Sequence, residues 1–198
     1  MTLRFCILLA IAPAVLSGQT LPEPFLAQAE RLRKLGASVR TEQERPKPVE
    51  VWIDFDRPVS DETLRQVNGL RPLTALRLLG GGFTDAGLSY LTKLPNLWLL
   101  IVSSDKITDR GAEAVSRLKS LTKLDFMYAS LTARGIEHLR GLPKLSELYL
   151  HSARLDDGAL KPIARMTKLR NLSLPKSISD KAVEELRRAL PACRIQQF

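Results

Sequence analysis

Few side chains in this sequence are suited to covalent or metal chemistry. His138 and His151 are the two histidines. They stand thirteen residues apart, one in a helical stretch and one in an extended stretch, a spacing that puts no two imidazoles on one metal, so surface histidines are expected. Cys6 lies in an apolar leader-like run, which leaves Cys193 without an intrachain partner. Cys193 takes a place that is leucine elsewhere in the chain, so a packing thiol is expected. The run Gly80, Gly81, Gly82 joins a strand-like stretch to a helix-like one, but it lacks the G-x-G-x-x-G spacing of a dinucleotide site. Asn171, Leu172 and Ser173 fit a glycan acceptor pattern, but inside a predicted strand. No phosphate loop, metal-ligand spacing or nucleophile motif is present. Neither an enzyme nor a cofactor is expected.

Charge is the next resource. The 198 residues carry a net charge of +9 with a pI near 9.9, which makes polyanions possible partners. Lys93, Arg117, Lys119, Arg140, Lys144, Arg165, Lys168 and Arg188 recur at the ends of successive predicted helices. Stacked at about 4.8 Å per strand, they form a basic stripe along one edge, and Asp61, Asp85, Asp109 and Asp157 line the other. Two readings fit: a track for a polyanion, or complementation of the helix dipoles, which accounts for both stripes at once.

What positions these residues is a repeat. Residues 73–96 return as 97–120, 121–144 and 145–168; a fifth copy starts at Leu169, and a degenerate one precedes them from Val49. Six units of one length mean a stack with no single centre. Within the 24-residue unit, position 1 is Leu73, Leu97, Leu121, Leu145 and Leu169, and position 4 is Leu76, Leu100, Leu124, Leu148 and Leu172. Position 6 alternates with position 4, as on one side of a strand. Position 11 is again apolar, and positions 16, 19 and 22 continue at helical spacing, as in Leu88, Leu91 and Leu94. Each unit is predicted to be a strand, a turn and a helix that buries its apolar side only against its neighbours. Position 12 carries Ser60, Thr84, Thr108, Thr132 and Asp156, all good N-caps. Gly87, Gly111 and Gly135 at position 15 are expected to let helix and sheet approach closely.

Two units break the phase. Ile178 and Asp180 arrive one residue early, which shortens the last loop. A similar deletion in the first unit turns Val51, Ile53 and Phe55 to the core; without it, Asp54 would be buried and need a partner.

Positions 3, 5 and 7 point away from the core. Arg77, Leu79, Leu99, Ile101, Lys123, Asp125, Met127, Glu147, Tyr149 and His151 therefore face one surface, with Trp98 at its edge. Leu79, Leu99, Ile101, Met127 and Tyr149 form a predicted outward apolar cluster with a polar rim, the pattern of an interface. Lys123 is expected beside Glu147 as a surface pair.

Residues 1–18 read as a secretory signal: Arg4, then the uncharged run from Phe5 to Leu16, then Ser17 and Gly18. Twelve residues are too few to span a bilayer, which takes roughly 20, so no integral membrane span is expected once the signal is removed. Residues 19–48 are not a repeat. They predict a helix with Phe25, Leu26, Ala29, Leu32 and Leu35 on one face, ended by Gly36, and then a short strand. With the alternating stretch after Val49 they make a helix and hairpin that cap the stack. Residues 49–192 are the six units and 193–198 a terminal strand.

The pattern L-x-x-L-x-L followed by [IFL]-T-D-x-G-[LAI]-x-x-L-x-x-L resembles the leucine-rich repeat family in its ribonuclease-inhibitor-like form. The match runs from Val49 to Ala192, most of the chain without its leader. The ending from Leu190 to Ile195 and the stretch RLRKLGASV look like the terminal strand and N-terminal cap of short exported bacterial members. The resemblance implies an α/β right-handed solenoid, with a curved parallel sheet inside and helices outside. It also implies protein recognition on the concave sheet; the leader of residues 1–18 adds the expectation of export to the periplasm, the envelope or the medium. The asparagine common at the strand-to-loop turn is missing, so an asparagine ladder does not tie these loops together.

Overall fold

The computed structural model describes residues 23–42, 50–150 and 153–198. One sheet of eight strands runs through it in sequence order: β1 (Ser38–Glu42), β2 (Glu50–Phe55), β3 (Ala75–Leu78), β4 (Leu99–Ser103), β5 (Lys123–Met127), β6 (Glu147–Tyr149), β7 (Asn171–Leu174) and β8 (Arg194–Gln197). Strand β1 is antiparallel to β2, and every later pair is parallel. The helices are α1 (Glu23–Lys34), α2 (Asp61–Val67), α3 (Asp85–Ser89), α4 (Asp109–Val115), α5 (Ala133–Leu139), α6 (Leu160–Ile163) and α7 (Asp180–Ala189). Helix α6 is entered through a 3₁₀ turn, Asp157–Ala159.

The parallel register is the 24-residue repeat made visible. Leu76 sits beside Leu100, Leu100 beside Leu124, and Leu124 beside Leu148. These side chains are fully buried, as are the position 1 leucines Leu73, Leu97 and Leu121. Burying one such leucine contributes about 1.5–3 kcal/mol, and each does so only because a neighbouring unit covers it. In the first unit Val51, Ile53 and Phe55 face the core, and Ile53 pairs with Leu76. Asp54 is thereby left on the opposite face. At the N-terminal end, α1 packs Phe25, Ala29 and Leu32 inward, and β1 covers the free edge of β2. Leu35, expected on the same face, is 44% exposed. The helix ends at Lys34 and the chain turns at Gly36 with φ +91°, so Leu35 has left the helical phase.

The capping residues of position 12 hold as expected. Thr84, Thr108 and Thr132 each accept a hydrogen bond from the N–H two residues on, and Ser60, Asp156 and Ser179 from the N–H three residues on. The aspartates at position 13 do more than face a helix dipole. Asp61 accepts the backbone N–H of Thr84 at 2.7 Å and its hydroxyl at 2.8 Å. Asp85 does the same with Thr108, Asp109 with Thr132, and Asp157 with Ser179. Each threonine hydroxyl gives its proton to the preceding unit and its lone pair to its own helix, which fixes one repeat on the next. This aspartate–threonine ladder stands where an asparagine ladder does not.

The ladder also explains the position 15 glycines. A Cβ on Gly111 would lie 2.5 Å from Asp85 Oδ1, and one on Gly87 or Gly135 would run into Asp61 or Asp109. These glycines make room for a carboxylate of the previous unit, and this replaces the expected approach of helix to sheet. Gly80 is small for a different reason: its Cβ would overlap the backbone of Arg57.

Candidate functional site on the concave sheet

The concave face is built by the alternate strand positions that leave the core. At its N-terminal end the side chains close over the sheet. The rings of Trp52 and Trp98 meet edge to face, with centroids 5.9 Å apart, and Arg40 stacks on Trp52 at 4.7 Å. Trp52 also donates its indole N–H to Glu50. Ala75, on the strand between the two tryptophans, has no side chain long enough to keep them apart. Leu99, expected in the outward apolar cluster, is only 5% exposed; it stands in register with Ala75 and, one strand further, Trp52.

Beside the tryptophans lies an ionic cluster. Arg40 Nε donates to Asp54 Oδ2 at 3.1 Å, and Arg77 Nε stands 3.6 Å from Oδ1 of the same carboxylate. Its position follows from the one-residue phase shift of the first unit, which brings Asp54 level with Arg77.

A second cluster crosses from β5 to β6. Lys123 Nζ lies 3.2 Å from Glu147 Oε2, the Tyr149 hydroxyl donates to that same oxygen at 2.8 Å, and the ammonium sits 4.9 Å from the Tyr149 ring centroid. Burial pulls the Lys123 pKa down, but the hydrogen bond and charge of Glu147 outweigh it, so the ammonium titrates above its ordinary value. Burial, then the hydrogen bond to Glu147, raises the Tyr149 phenol. Both groups are held in their protonated forms at neutral pH.

Between the two clusters, Ile101, Leu79 and Met127 are half-buried, and Asp125 lies between Ile101 and Tyr149 in register. Next to Met127, Tyr128 is 53% exposed and has φ 65°, the left-handed region that a non-glycine residue rarely adopts. The repeat pattern does not single out Tyr128, because it lies just past the strand. His151 falls outside the described residues.

Half of the basic stripe is engaged within the protein. Lys119 donates to the carbonyls of Ser116 and Gly141, and Lys168 to that of Pro143. Arg117 pairs with Glu113 at 3.5 Å and Arg140 with Glu137 at 3.1 Å. Lys93, Lys144, Arg165 and Arg188 are exposed. Cys193 is half-buried, less deeply than a leucine at position 1, and its burial raises the thiol pKa. His138 is half-buried in the last turn of α5. Among the described residues, no group of three or more His, Cys, Asp or Glu is placed to hold a metal ion, and no helix is long and apolar enough to cross a membrane.

One sheet, parallel from β2 onward, advances one strand per 23 or 24 residues and is crossed back each time through a short helical segment. The fold is a leucine-rich repeat solenoid. No protein-family model and no curated protein matches the chain. Among solved structures, the solenoid is similar to an internalin from Listeria monocytogenes, with a TM-score of 0.42 and 19% identity over 68% of this chain and 50% of that one. It is also similar to a leucine-rich repeat protein from Leptospira interrogans, with a TM-score of 0.38 and 18% identity over 71% of this chain and 52% of that one. The chain spans about half the length of these solved proteins.

Proposed function

We propose that this solenoid is an exported module that binds a protein partner through its concave sheet. The observation that carries the reading is the layout of β3 to β6: half-buried Leu79, Ile101 and Met127 at the centre, flanked by two charged clusters already fixed in place. An apolar centre inside an ordered polar rim is the anatomy of a recognition surface. Prearranged side chains also lose little entropy on binding. Export rests on the apolar leader of residues 5–16 behind Arg4. It places the partner in the periplasm, on the envelope or outside the cell.

The basic edge supports a polyanion less well, because Arg117, Lys119, Arg140 and Lys168 already serve glutamates and helix-end carbonyls. The two surfaces separate in one experiment. The leaderless protein is immobilised and used to capture partners from the envelope fraction, beside Ile101→Asp, Tyr149→Ala and the double reversal Lys93→Glu with Arg117→Glu. The concave substitutions are expected to abolish capture of a band that the double reversal retains. Capture lost only in the double reversal, with strong weakening by salt, overturns the concave reading in favour of the edge.

A further inference from the structure

Five joints connect α2 to α7 in sequence, and four of them carry the aspartate–threonine or aspartate–serine grip. The joint between α5 and α6 does not. Position 13 of its first unit is Ala133, which offers no carboxylate. Position 12 of the next is Asp156, which has no hydroxyl proton to give and caps only its own turn, at Ala159 N. Position 15 is glycine after each of the three preceding grips, but Ala159 here and Ala182 after the fourth, so alanine at this place does not by itself prevent a grip. Both polar members of the grip are changed together, so neither the carboxylate nor the hydroxyl that forms it elsewhere is present.

The surroundings agree. After Asp156 the chain enters a 3₁₀ turn before α6 begins. An open cleft of about 470 Å³ lies along the same loop edge, over Leu131 and Leu155 and between Thr132 and Asp156. A second cleft separates α6 from α7, but there Asp157 and Ser179 close the loop edge. Across the α5–α6 joint the strands stay paired: β5 and β6 share three register pairs, from Lys123 with Glu147 to Asp125 with Tyr149, and at the loop edge Arg154 N–H donates to the Ala129 carbonyl at 2.9 Å in an isolated bridge. Of the two ionic clusters on the concave face, the Lys123–Glu147–Tyr149 group is the one that spans this joint.

We propose that the solenoid has a hinge between α5 and α6. The paired strands β5 and β6 form its axis, the loop edge, which lacks the side-chain grip and keeps the Arg154–Ala129 backbone bond, opens and closes, and Lys123, Glu147 and Tyr149 latch its concave side. Flexing here changes the curvature of the concave face without breaking the sheet. The inference is read in the free protein and stands whether or not the concave face binds a partner.

Two measurements test it. Hydrogen exchange on the unmodified chain compares the position 12 amides. The N–H groups of Thr84, Thr108, Thr132 and Ser179 are held by aspartate, so the Asp156 amide is expected to exchange about tenfold faster, the size of one net hydrogen bond. Exchange at Asp156 as slow as at the other four overturns the hinge without any variant having to fold. Spin labels at Gln66→Cys and Arg188→Cys, with Cys6→Ser and Cys193→Ser, then read the distance distribution across the joint. Restoring the grip with Ala133→Asp, Asp156→Thr and Ala159→Gly is expected to narrow that distribution. Moving the break to the α3–α4 joint in the repaired chain, with Asp85→Ala, Thr108→Asp and Gly111→Ala, is expected to widen it again. Glu147→Gln in the otherwise unmodified labelled chain is expected to widen it by releasing the latch. A distribution as narrow before repair as after it overturns the hinge, and one untouched by Glu147→Gln overturns the latch.

Discussion

Asp85 holds Thr108 with both carboxylate oxygens: Oδ1 accepts the backbone N–H at 2.8 Å and Oδ2 the hydroxyl at 2.6 Å. One residue thus begins the α3 helix and fixes the start of α4. Both bonds are charge-assisted but near solvent, so Asp85→Ala is expected to cost about 1–2 kcal/mol, below the full value of two such bonds. Urea denaturation measures the loss; no change in midpoint would show that the grip is decorative.

The glycine that makes room for the grip gives a sharper test, because the cost of one substitution should depend on the aspartate it meets. Gly135→Ala pushes a methyl group into the Asp109 carboxylate and is expected to destabilise the protein. In an Asp109→Ala background the carboxylate contact is gone and only the Asp109 Cα stays close, at 3.2 Å, so the gain from losing a helical glycine, up to about 1 kcal/mol, offsets much of the cost. The two substitutions are therefore expected to be strongly non-additive in a double-mutant cycle. Additive costs would contradict the steric account.

Acid should loosen the last joint. The hydroxyl of Ser179, then its backbone N–H, lowers the Asp157 pKa below the ordinary value. A carboxyl whose pKa is depressed on folding stabilises above its unfolded value, near pH 4, and loses that contribution as pH falls through the folded value. Asp157→Asn is expected to lower the melting temperature at neutral pH, with the gap to the parent closing below about pH 4. A gap independent of pH would assign the effect to something other than the charge.

Tyr149 reports on the concave cluster directly. Its phenol titrates above the ordinary tyrosine value, because of burial and then the bond to Glu147. Ultraviolet titration of the tyrosinate band should show a late component that disappears in Tyr149→Phe and moves down in Glu147→Gln. A late component that survives Tyr149→Phe belongs to another residue.

In the core, Leu124 is fully buried at the middle of the stack, beside Leu100 and Leu148. Leu124→Ala is expected to cost about 2–5 kcal/mol. A loss below about 1 kcal/mol, well under the usual cavity cost, would mean that the strand register is wrong.

The solenoid was legible because each structural position recurs: one glance at Leu76, Leu100, Leu124 and Leu148 shows which side of the strand is buried. The caps were legible for the same reason. The grip between repeats was not, although its three residue types also recur. Asp85, Thr108 and Gly111 each have a sufficient local explanation as a dipole partner, a cap and a space-saver, and only the fold shows that the aspartate reaches the unit after its own. Leu99 escaped because alternation places it on the concave face, where burial is decided by side chains of other units and not by its own strand. Leu35 escaped because the helix stops one residue before it. The concave clusters lie between these cases: Lys123 beside Glu147 follows from register, but Arg40 reaches Asp54 only through the antiparallel strand β1.

The contact between Trp52 and Trp98 has an optical consequence. These are the two tryptophans of the chain, and they stand nearly perpendicular, at 84°, near one end of the solenoid. Indole emission therefore watches the first units alone, and the coupled rings should give an exciton signal in circular dichroism that vanishes when they part. Melting that begins at the α7 end would lower the helical signal while both tryptophan signals stay native, so a lag between the probes reveals the direction in which the stack comes apart.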